Sequence, residues 1–128
     1  MIAIDTHIWI FLVTDQLEKI SKSALRKIHQ GNLLILSAIS CWEVALLEKN
    51  GRLKLDRSVD NWIKNALLFP KLKVIDLTPD ILVKSVQLKE FHADPADRMI
   101  VATSILNSLP LVTLDKKIQQ YSLVMTIS

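Results

Sequence analysis

Short apolar runs alternate with longer segments of helical character along the whole chain, and this alternation limits the fold more than any other feature of the sequence. Runs of this length, bounded by polar residues, are typical of strands buried on both faces. We expect strands at residues 2–4, 33–36, 72–75, 109–114 and 123–127, with helices at 6–12, 22–30, 40–50, from 59, 79–89, 95–107 and 116–120. The pattern predicts a single α/β domain over residues 1–128, a three-layer arrangement in which helices flank a mainly parallel central sheet.

Capping side chains mark several of the predicted helix starts. Asp94 precedes Pro95, which suits the first helical position, so we expect Asp94 to be the N-cap and Asp97 to lie in the first turn. Ser40 and Glu43 have the spacing of a capping box. The same reasoning predicts caps at Ser21, Ser58 and Thr78. Capping alone is therefore a sufficient role for several of the acids in this chain.

Composition excludes several classes of protein. The only cysteine, Cys41, rules out an internal disulfide, and the three histidines lack zinc-ligand spacing. The first residues lack the basic start and long apolar region of a signal peptide, and the apolar-rich run 33–42 is too short to cross a bilayer. We therefore expect a cytoplasmic protein with no membrane partner. The net charge of +3 permits a polyanionic partner without requiring one.

Acidic residues follow predicted strands or begin predicted helices at what should be one edge of the sheet. Asp5 and Asp115 each follow a strand, and ligand sites in parallel sheets form beyond those carboxyl ends. Glu43, Asp94 and Asp97 sit at helix starts that can face the same edge. Like charges gathered there repel one another unless a cation lies between them, and Mg²⁺ or Mn²⁺ takes oxygen ligands of this kind.

Such a site can polarise a phosphodiester and prepare a water for attack. The chain has no P-loop, no glycine-rich phosphate-binding loop and no Ser-His-Asp signature. A metal-dependent hydrolase is therefore the enzyme class that the residues favour.

Five blocks of sequence, taken in order, resemble the PIN-domain family, and within it the VapC-type toxins of bacterial toxin–antitoxin pairs. The blocks are Asp-Thr-His-Ile-Trp at 5–9, Ser-Cys-Trp-Glu-Val-Ala at 40–45, Gly-Arg-Leu at 51–53, Asp-Pro-Ala-Asp-Arg-Met-Ile-Val-Ala-Thr at 94–103 and Leu-Val-Thr-Leu-Asp at 111–115. The resemblance extends over essentially the whole chain. It implies a Mg²⁺- or Mn²⁺-dependent endoribonuclease that cleaves RNA, forms a homodimer and is held inactive by a cognate antitoxin protein.

The resemblance also assigns site residues. Asp5, Glu43, Asp97 and Asp115 match the acidic quartet of the family, and Asp94 matches an additional acid found in one branch. That branch commonly has Arg and Phe where this chain has alanines at positions 93 and 96, so contacts at the entrance to the site are expected to differ.

Each residue is given a role and an alternative. We expect Asp5 and Asp97 to be the main metal ligands, directly or through water, while Glu43 and Asp115 position a second ion or the attacking water. Asp94 is a helper ligand or only a cap. Arg98 contacts a phosphate of the nucleic acid or forms a salt bridge with a neighbouring acid. Four further residues adjoin the acids: Thr6 and Thr113 as hydrogen-bonding partners of carboxylates or of local turns, and His7 and His92 as packed or solvent-exposed side chains.

Two other functions compete with this interpretation. The first is phosphoryl transfer with Asp5 as nucleophile, although His7 stands where dehalogenase-like phosphatases have a second acid. The second is a non-catalytic PIN-like module that binds RNA or a protein. The aromatic residues Trp9, Phe11 and Trp62 form an antitoxin groove or belong to the core, and core packing is the simpler expectation.

Overall fold

Five parallel strands form the centre of the protein in a computed structural model that describes residues 1–128. The strands are β1 (Ile2–Ile4), β2 (Leu34–Ser37), β3 (Leu72–Ile75), β4 (Leu111–Val112) and β5 (Thr126–Ile127). Their order across the sheet is β3-β2-β1-β4-β5, and all four strand pairs are parallel. The mainly parallel sheet predicted from the sequence is confirmed, although β4 and β5 are shorter than expected.

Seven α-helices connect the strands. They are α1 (Thr6–Val13), α2 (Lys22–His29), α3 (Ile39–Lys49), α4 (Val59–Ala66), α5 (Pro79–Gln87), α6 (Pro95–Leu106) and α7 (Lys116–Gln119). A short 3₁₀ helix, Leu17–Lys19, follows α1. None of the helices is both long enough and apolar enough to cross a membrane.

Most of the predicted helix caps are present, and one is wrong. The side chain of Asp94 accepts the backbone N–H of Asp97 at 3.0 Å, and those of Ser21, Ser58 and Thr78 cap their helices in the same way. Helix α3 instead begins at Ile39, after Ala38, without a side-chain cap. Ser40 is buried inside the helix because its hydroxyl pairs with that of Thr6, at 2.8 Å between the oxygens.

Side chains of the strands alternate between two hydrophobic cores, one on each face of the sheet. On β1, Ile2 and Ile4 belong to one core and Ala3 to the other. The first core contains Trp9 and Trp62, whose rings meet edge to face with centroids 5.5 Å apart. Both indoles are buried, so the expectation that they are core residues is confirmed.

The strand order places a crevice where the site was expected. The chain leaves β1 towards β2 on one side, and β4 later joins the other side of β1. Connections that run in opposite directions from neighbouring strands leave a gap beyond their carboxyl ends, and ligands bind there in open α/β sheets. Asp5 follows β1 and Asp115 lies just beyond β4, so both acids stand at this gap.

Candidate active site

The five acids predicted from the sequence line one cavity of about 440 Å³. The acids are Asp5, Glu43, Asp94, Asp97 and Asp115, and we call the cavity the acidic pocket. The other lining residues are Thr6, His7, Phe11, Leu47, Arg52, Ile100 and Leu114. Residues separated by up to 110 positions along the chain therefore meet at the carboxyl edge of the sheet.

Asp5 is the most deeply placed of these acids. Its side chain is only 7% exposed, and it caps α1 by accepting the backbone N–H of Ile8 at Oδ1, at 3.0 Å. The second oxygen, Oδ2, accepts a hydrogen bond from the hydroxyl of Thr113, which follows β4. The carboxylate is thus fixed from both sides, by its own helix and by the neighbouring strand.

Asp115 and Asp94 combine capping with pocket lining. Oδ1 of Asp115 accepts the backbone N–H groups of Lys117 at 2.8 Å and Ile118 at 3.1 Å, which caps α7. Asp94 caps α6 as described above. A helper role and capping were the alternatives for Asp94, but in both acids one side chain caps a helix and lines the pocket, since a carboxylate oxygen has more than one acceptor site.

Glu43 and Asp97 line the pocket without capping a helix. Glu43 lies in α3, one turn before Leu47, so both project from the same side of the helix into the pocket. Asp97 lies in the first turn of α6, three residues after Asp94. An acid in the first turn of a helix is favoured by the helix dipole, which is a structural reason for Asp97, whereas Glu43 in α3 neither caps a helix nor forms an ion pair.

Burial and mutual repulsion raise the pKa of three of the acids. Burial is the main cause for Asp5 and for Glu43, whose pKa values lie above their ordinary values. For Asp97, burial together with repulsion from the other four carboxylates raises the pKa to about 7. These carboxylates are costly to ionise together, and a bound cation is the direct way to relieve that cost.

The donor set matches a hard divalent cation. It consists of carboxylate oxygens, which Mg²⁺ and Mn²⁺ prefer, and includes no thiolate. No group of three side chains among the histidines, the cysteine and the acids is arranged so that it could hold a metal ion by itself. An ion held by one or two of these carboxylates and by water fits this open arrangement, which is the usual coordination of Mg²⁺.

Arg98 does not line the acidic pocket, and it does not form the salt bridge with a neighbouring acid that was one of its two expected roles. Its guanidinium is directed towards the end of α5 and the segment that follows, where it donates five hydrogen bonds of 2.7–3.2 Å to backbone carbonyls. The carbonyls belong to Ser85, Val86, Leu88, Phe91 and His92. Because these bonds use all three guanidinium nitrogens, we no longer assign Arg98 a phosphate contact.

His92 contacts a candidate catalytic acid, which sequence reasoning missed. Its Nε2 atom lies 3.2 Å from Oδ2 of Asp97, close but without the alignment of a hydrogen bond. Its Nδ1 atom accepts the backbone N–H of Asp94 at 3.4 Å. His92 lies two residues before the capping acid, and that proximity is the signal that could have indicated the contact.

Arg52 is the only arginine or lysine that lines the acidic pocket, and it was not among the site residues expected from the sequence. It takes part neither in the salt bridge between Arg57 and Asp56 nor in the close contact between His92 and Asp97. In the sequence, Arg52 lies in the Gly-Arg-Leu block at 51–53 that resembles the PIN-domain family, just beyond the end of α3, but no role was assigned to it.

Comparisons with known proteins agree with this geometry. The chain matches the PIN domain over residues 2–123. It is 29% identical over 121 residues to "Ribonuclease VapC22" of Mycobacterium tuberculosis, covering 94% of this chain and 91% of that protein. Two solved structures have the same fold. DNA-bound VapBC from Salmonella typhimurium matches with a TM-score of 0.70 and 17% identity, covering 99% of this chain and 98% of that one. VapBC2 from Rickettsia felis, bound to a promoter DNA fragment, matches with a TM-score of 0.67 and 19% identity, again covering 99% of this chain and 98% of that one. The match over nearly the whole length shows that the chain belongs to the PIN domain family.

Proposed function

We propose that this protein is a divalent-metal-dependent endoribonuclease, and that it acts as the toxin of a toxin–antitoxin pair. The observation that carries the proposal is the convergence of five carboxylates from distant parts of the chain into the acidic pocket. Membership of the PIN domain family and the similarity to a protein named as a ribonuclease support the same activity.

The proposed cofactor is Mg²⁺ or Mn²⁺, which when bound supplies an electrophile for the phosphodiester and lowers the pKa of a coordinated water. Asp5 and Asp97 would hold the ion, directly or through water. Asp5 is suited to this role because Ile8 and Thr113 fix the orientation of its carboxylate. Asp97 is suited because its raised pKa of about 7, caused by burial and by the neighbouring carboxylates, is one that a bound cation would lower.

Glu43 and Asp115 would position the attacking water or a second ion. Glu43 projects from α3 and Asp115 from the end of β4, so the two acids enter the pocket from different elements. Asp94 would adjust the electrostatics of the site as a helper, because its Oδ1 atom already caps α6. A water placed between these groups would give a proton to a carboxylate as its oxygen attacks the phosphorus. The P–O bond opposite the attacking oxygen would break, and the leaving ribose oxygen would take up a proton from solvent.

Removal of single carboxylates tests the proposal. The variants Asp5→Asn and Asp97→Asn keep the shape of the side chain and remove its charge. Asp80→Asn is the matched control. Asp80 follows a capping residue and a proline at the start of α5, but it is exposed and does not line the pocket. We expect labelled RNA to be cleaved by the wild type and by Asp80→Asn in Mg²⁺ or Mn²⁺, and about 100-fold more slowly by the other two variants. Full activity of Asp97→Asn, or undiminished cleavage in a chelator, would refute the proposal.

The rival phosphoryl-transfer reaction makes a different prediction. A nucleophilic Asp5 would be trapped as an aspartyl phosphate, which mass spectrometry detects as an added phosphoryl group on that residue. We expect no such adduct, because the other four acids around Asp5 suit a metal ion better than an anionic intermediate on that carboxylate.

The proposed partners are an antitoxin protein and a second copy of this chain, and the proposed site of action is the cytoplasm, where RNA is available. The structures similar to this one include toxin–antitoxin complexes, which supports the antitoxin as partner. Co-expression with the product of the neighbouring gene, followed by purification through a tag on one chain only, tests the antitoxin. We expect a stable complex in which RNA cleavage is suppressed.

A further inference from the structure

The acidic pocket poses an electrostatic problem for the proposed substrate. RNA is a polyanion, and the pocket that must receive it is lined by five acids. A bound cation offsets part of this charge at the scissile phosphate, but the phosphates on either side still approach a negative surface. Affinity for a nucleic acid requires positively charged groups near those flanking phosphates.

Arg52 provides such a group on one side of the pocket. Helix α3 ends at Lys49 with Asn50 as its C-cap, and Gly51 adopts a positive φ of 73° that reverses the chain. The backbone N–H of Gly51 donates to the carbonyl of Glu48, and that of Arg52 to the carbonyl of Leu47. This reversal brings Arg52 back to the side of α3 that carries Leu47 and Glu43, where it lines the pocket.

The guanidinium of Arg52 is free to bind a ligand. It forms no ion pair with the acids of the pocket. Arg98, by contrast, donates to five carbonyls of its own chain. Arg52 has an exposed guanidinium beside the acidic pocket. A guanidinium can bind a phosphate through two parallel hydrogen bonds.

Lysines provide the corresponding charge on another side of the same acids. A second, shallower cavity of about 450 Å³ shares Asp94, Asp97 and Asp115 with the acidic pocket. It is also lined by Lys116 and Lys117, the first residues of α7, which are exposed and form no ion pair. Of these two cavities, Arg52 lines the first and not the second, and the lysines line the second and not the first, which places the shared acids between the two groups of cations.

We propose that Arg52 on one side and Lys116 and Lys117 on the other bind backbone phosphates of a single-stranded RNA that crosses the acidic site. The inference rests on the proposed function and adds the path of the substrate to it. A flexible single strand can follow two neighbouring cavities that share three lining acids, whereas a stiff A-form duplex presents its phosphates on a convex surface. The contacts involve only the backbone and therefore give affinity and position without sequence preference.

RNA binding, measured separately from cleavage, tests the proposal. Fluorescence anisotropy with a labelled single-stranded RNA in Mg²⁺ gives the Kd and its dependence on salt, with Asp97→Asn as the common background so that the RNA stays intact. The variants are Arg52→Gln and the double variant Lys116→Gln/Lys117→Gln. The double variant Arg26→Gln/Lys27→Gln is the matched control, because these exposed cations precede the start of β2, at the opposite edge of the sheet.

We expect Arg52→Gln to weaken binding about fivefold and to reduce the slope of log K against log salt by about 0.7, the value for one phosphate of a single strand that the protein no longer neutralises. The lysine double variant should reduce that slope by about 1.4 on the same basis. The control pair should change neither quantity, and an RNA duplex of the same sequence should bind more weakly. An unchanged slope in Arg52→Gln or in the lysine variant, an equal loss in the control, or equal affinity for the duplex would overturn the proposal.

Cleavage in the otherwise wild-type chain separates the two proposals. If the wild type cleaves RNA and Arg52→Gln cleaves it equally well at limiting substrate, the path proposed here is wrong and the nuclease assignment stands. If the wild type binds RNA with the expected salt dependence but does not cleave it, the path stands and the nuclease assignment fails.

Discussion

The hydroxyl of Thr113 donates a hydrogen bond to Oδ2 of Asp5, a residue 108 positions away in the sequence. The same hydroxyl oxygen accepts the backbone N–H of Asp115 at 3.0 Å. One fully buried side chain thus connects the ends of β1 and β4 and orients two acids of the pocket. A carboxylate bond and a local turn bond were the two expectations for Thr113, and the structure shows both.

Replacement of Thr113 by valine should weaken both the fold and the site. Valine has nearly the same shape but cannot donate to Asp5 or accept from Asp115, so we expect a loss of about 1–3 kcal/mol in the free energy of unfolding. The pKa of Asp5 should rise further, because the Thr113 bond lowers it. Denaturant titration and the pH profile of cleavage measure the two effects.

Thr103→Val is the control for that experiment. Thr103 is also buried, but its hydroxyl donates to the carbonyl of Met99 within α6, away from the acids. We expect a smaller loss of stability and no shift of the pH profile. An identical shift in both variants would mean that Thr113 does not act through Asp5.

Asp97→Asn should stabilise the metal-free protein at neutral and higher pH. The pKa of Asp97 is about 7 in the folded protein, against about 3.9 in an unfolded chain. Between these values the folded state binds more protons than the unfolded state, so its stability falls as the pH rises. Asparagine resembles the protonated acid and escapes this loss.

Unfolding by denaturant in a chelator, at pH 4 and at pH 8, measures the effect. We expect Asp97→Asn to exceed the wild type by about 1–2 kcal/mol at pH 8, a value already reduced for solvent screening of a partly exposed group. The difference should shrink to about half a kcal/mol or less at pH 4, where Asp97 is protonated in the folded state and about half protonated in the unfolded state. Equal stability of the two proteins at pH 8 would show that folding does not raise the pKa of Asp97.

His92→Ala should weaken the metal site without unfolding the protein. The imidazole lies between the N-cap region of α6 and the carboxylate of Asp97, with Nε2 3.2 Å from Oδ2. A residue that restricts the orientation of a metal-binding carboxylate contributes about tenfold in metal affinity. Titration with Mn²⁺ measures this loss, and His29→Ala on exposed α2 should show none.

Arg98→Lys should lower stability and leave the salt dependence of RNA binding unchanged. A lysine has three donors and a different shape, so it cannot satisfy the five carbonyls around Arg98. We expect a loss of about 2–3 kcal/mol in the free energy of unfolding. A reduced salt slope with normal stability would instead restore the phosphate contact first expected from the sequence.

Much of the fold and the main acids of the site were predictable because their signals are local. Short apolar runs indicated the strands, and Asp94 followed by Pro95 indicated the start of α6. Asp5 and Asp115 could be placed at one edge because parallel strands have their carboxyl ends on the same side of a sheet. The expected geometry of a parallel sheet therefore allowed us to predict, from local sequence patterns, that Asp5 and Asp115 lie at the same edge.

The features that sequence analysis missed depend on contacts between distant segments. Ser40 has the spacing of a capping box, but its hydroxyl pairs with Thr6, 34 positions earlier. Arg98 follows an acid of the site, yet its partners are carbonyls 6–13 positions before it. Arg52 reaches the pocket only because Gly51 reverses the chain. In each case the sequence identifies the residue type, but the group that the side chain contacts depends on how distant segments pack together.

Direct measurement of divalent-metal binding tests the central claim most directly. Isothermal titration of Mn²⁺ into the wild type, Asp97→Asn and the control Asp80→Asn compares an acid of the pocket with an exposed acid at the same kind of helix start. We predict saturable binding by the wild type and Asp80→Asn, and affinity at least about tenfold weaker for Asp97→Asn. No binding by the wild type at millimolar Mn²⁺, or equal affinity in all three proteins, would contradict the account.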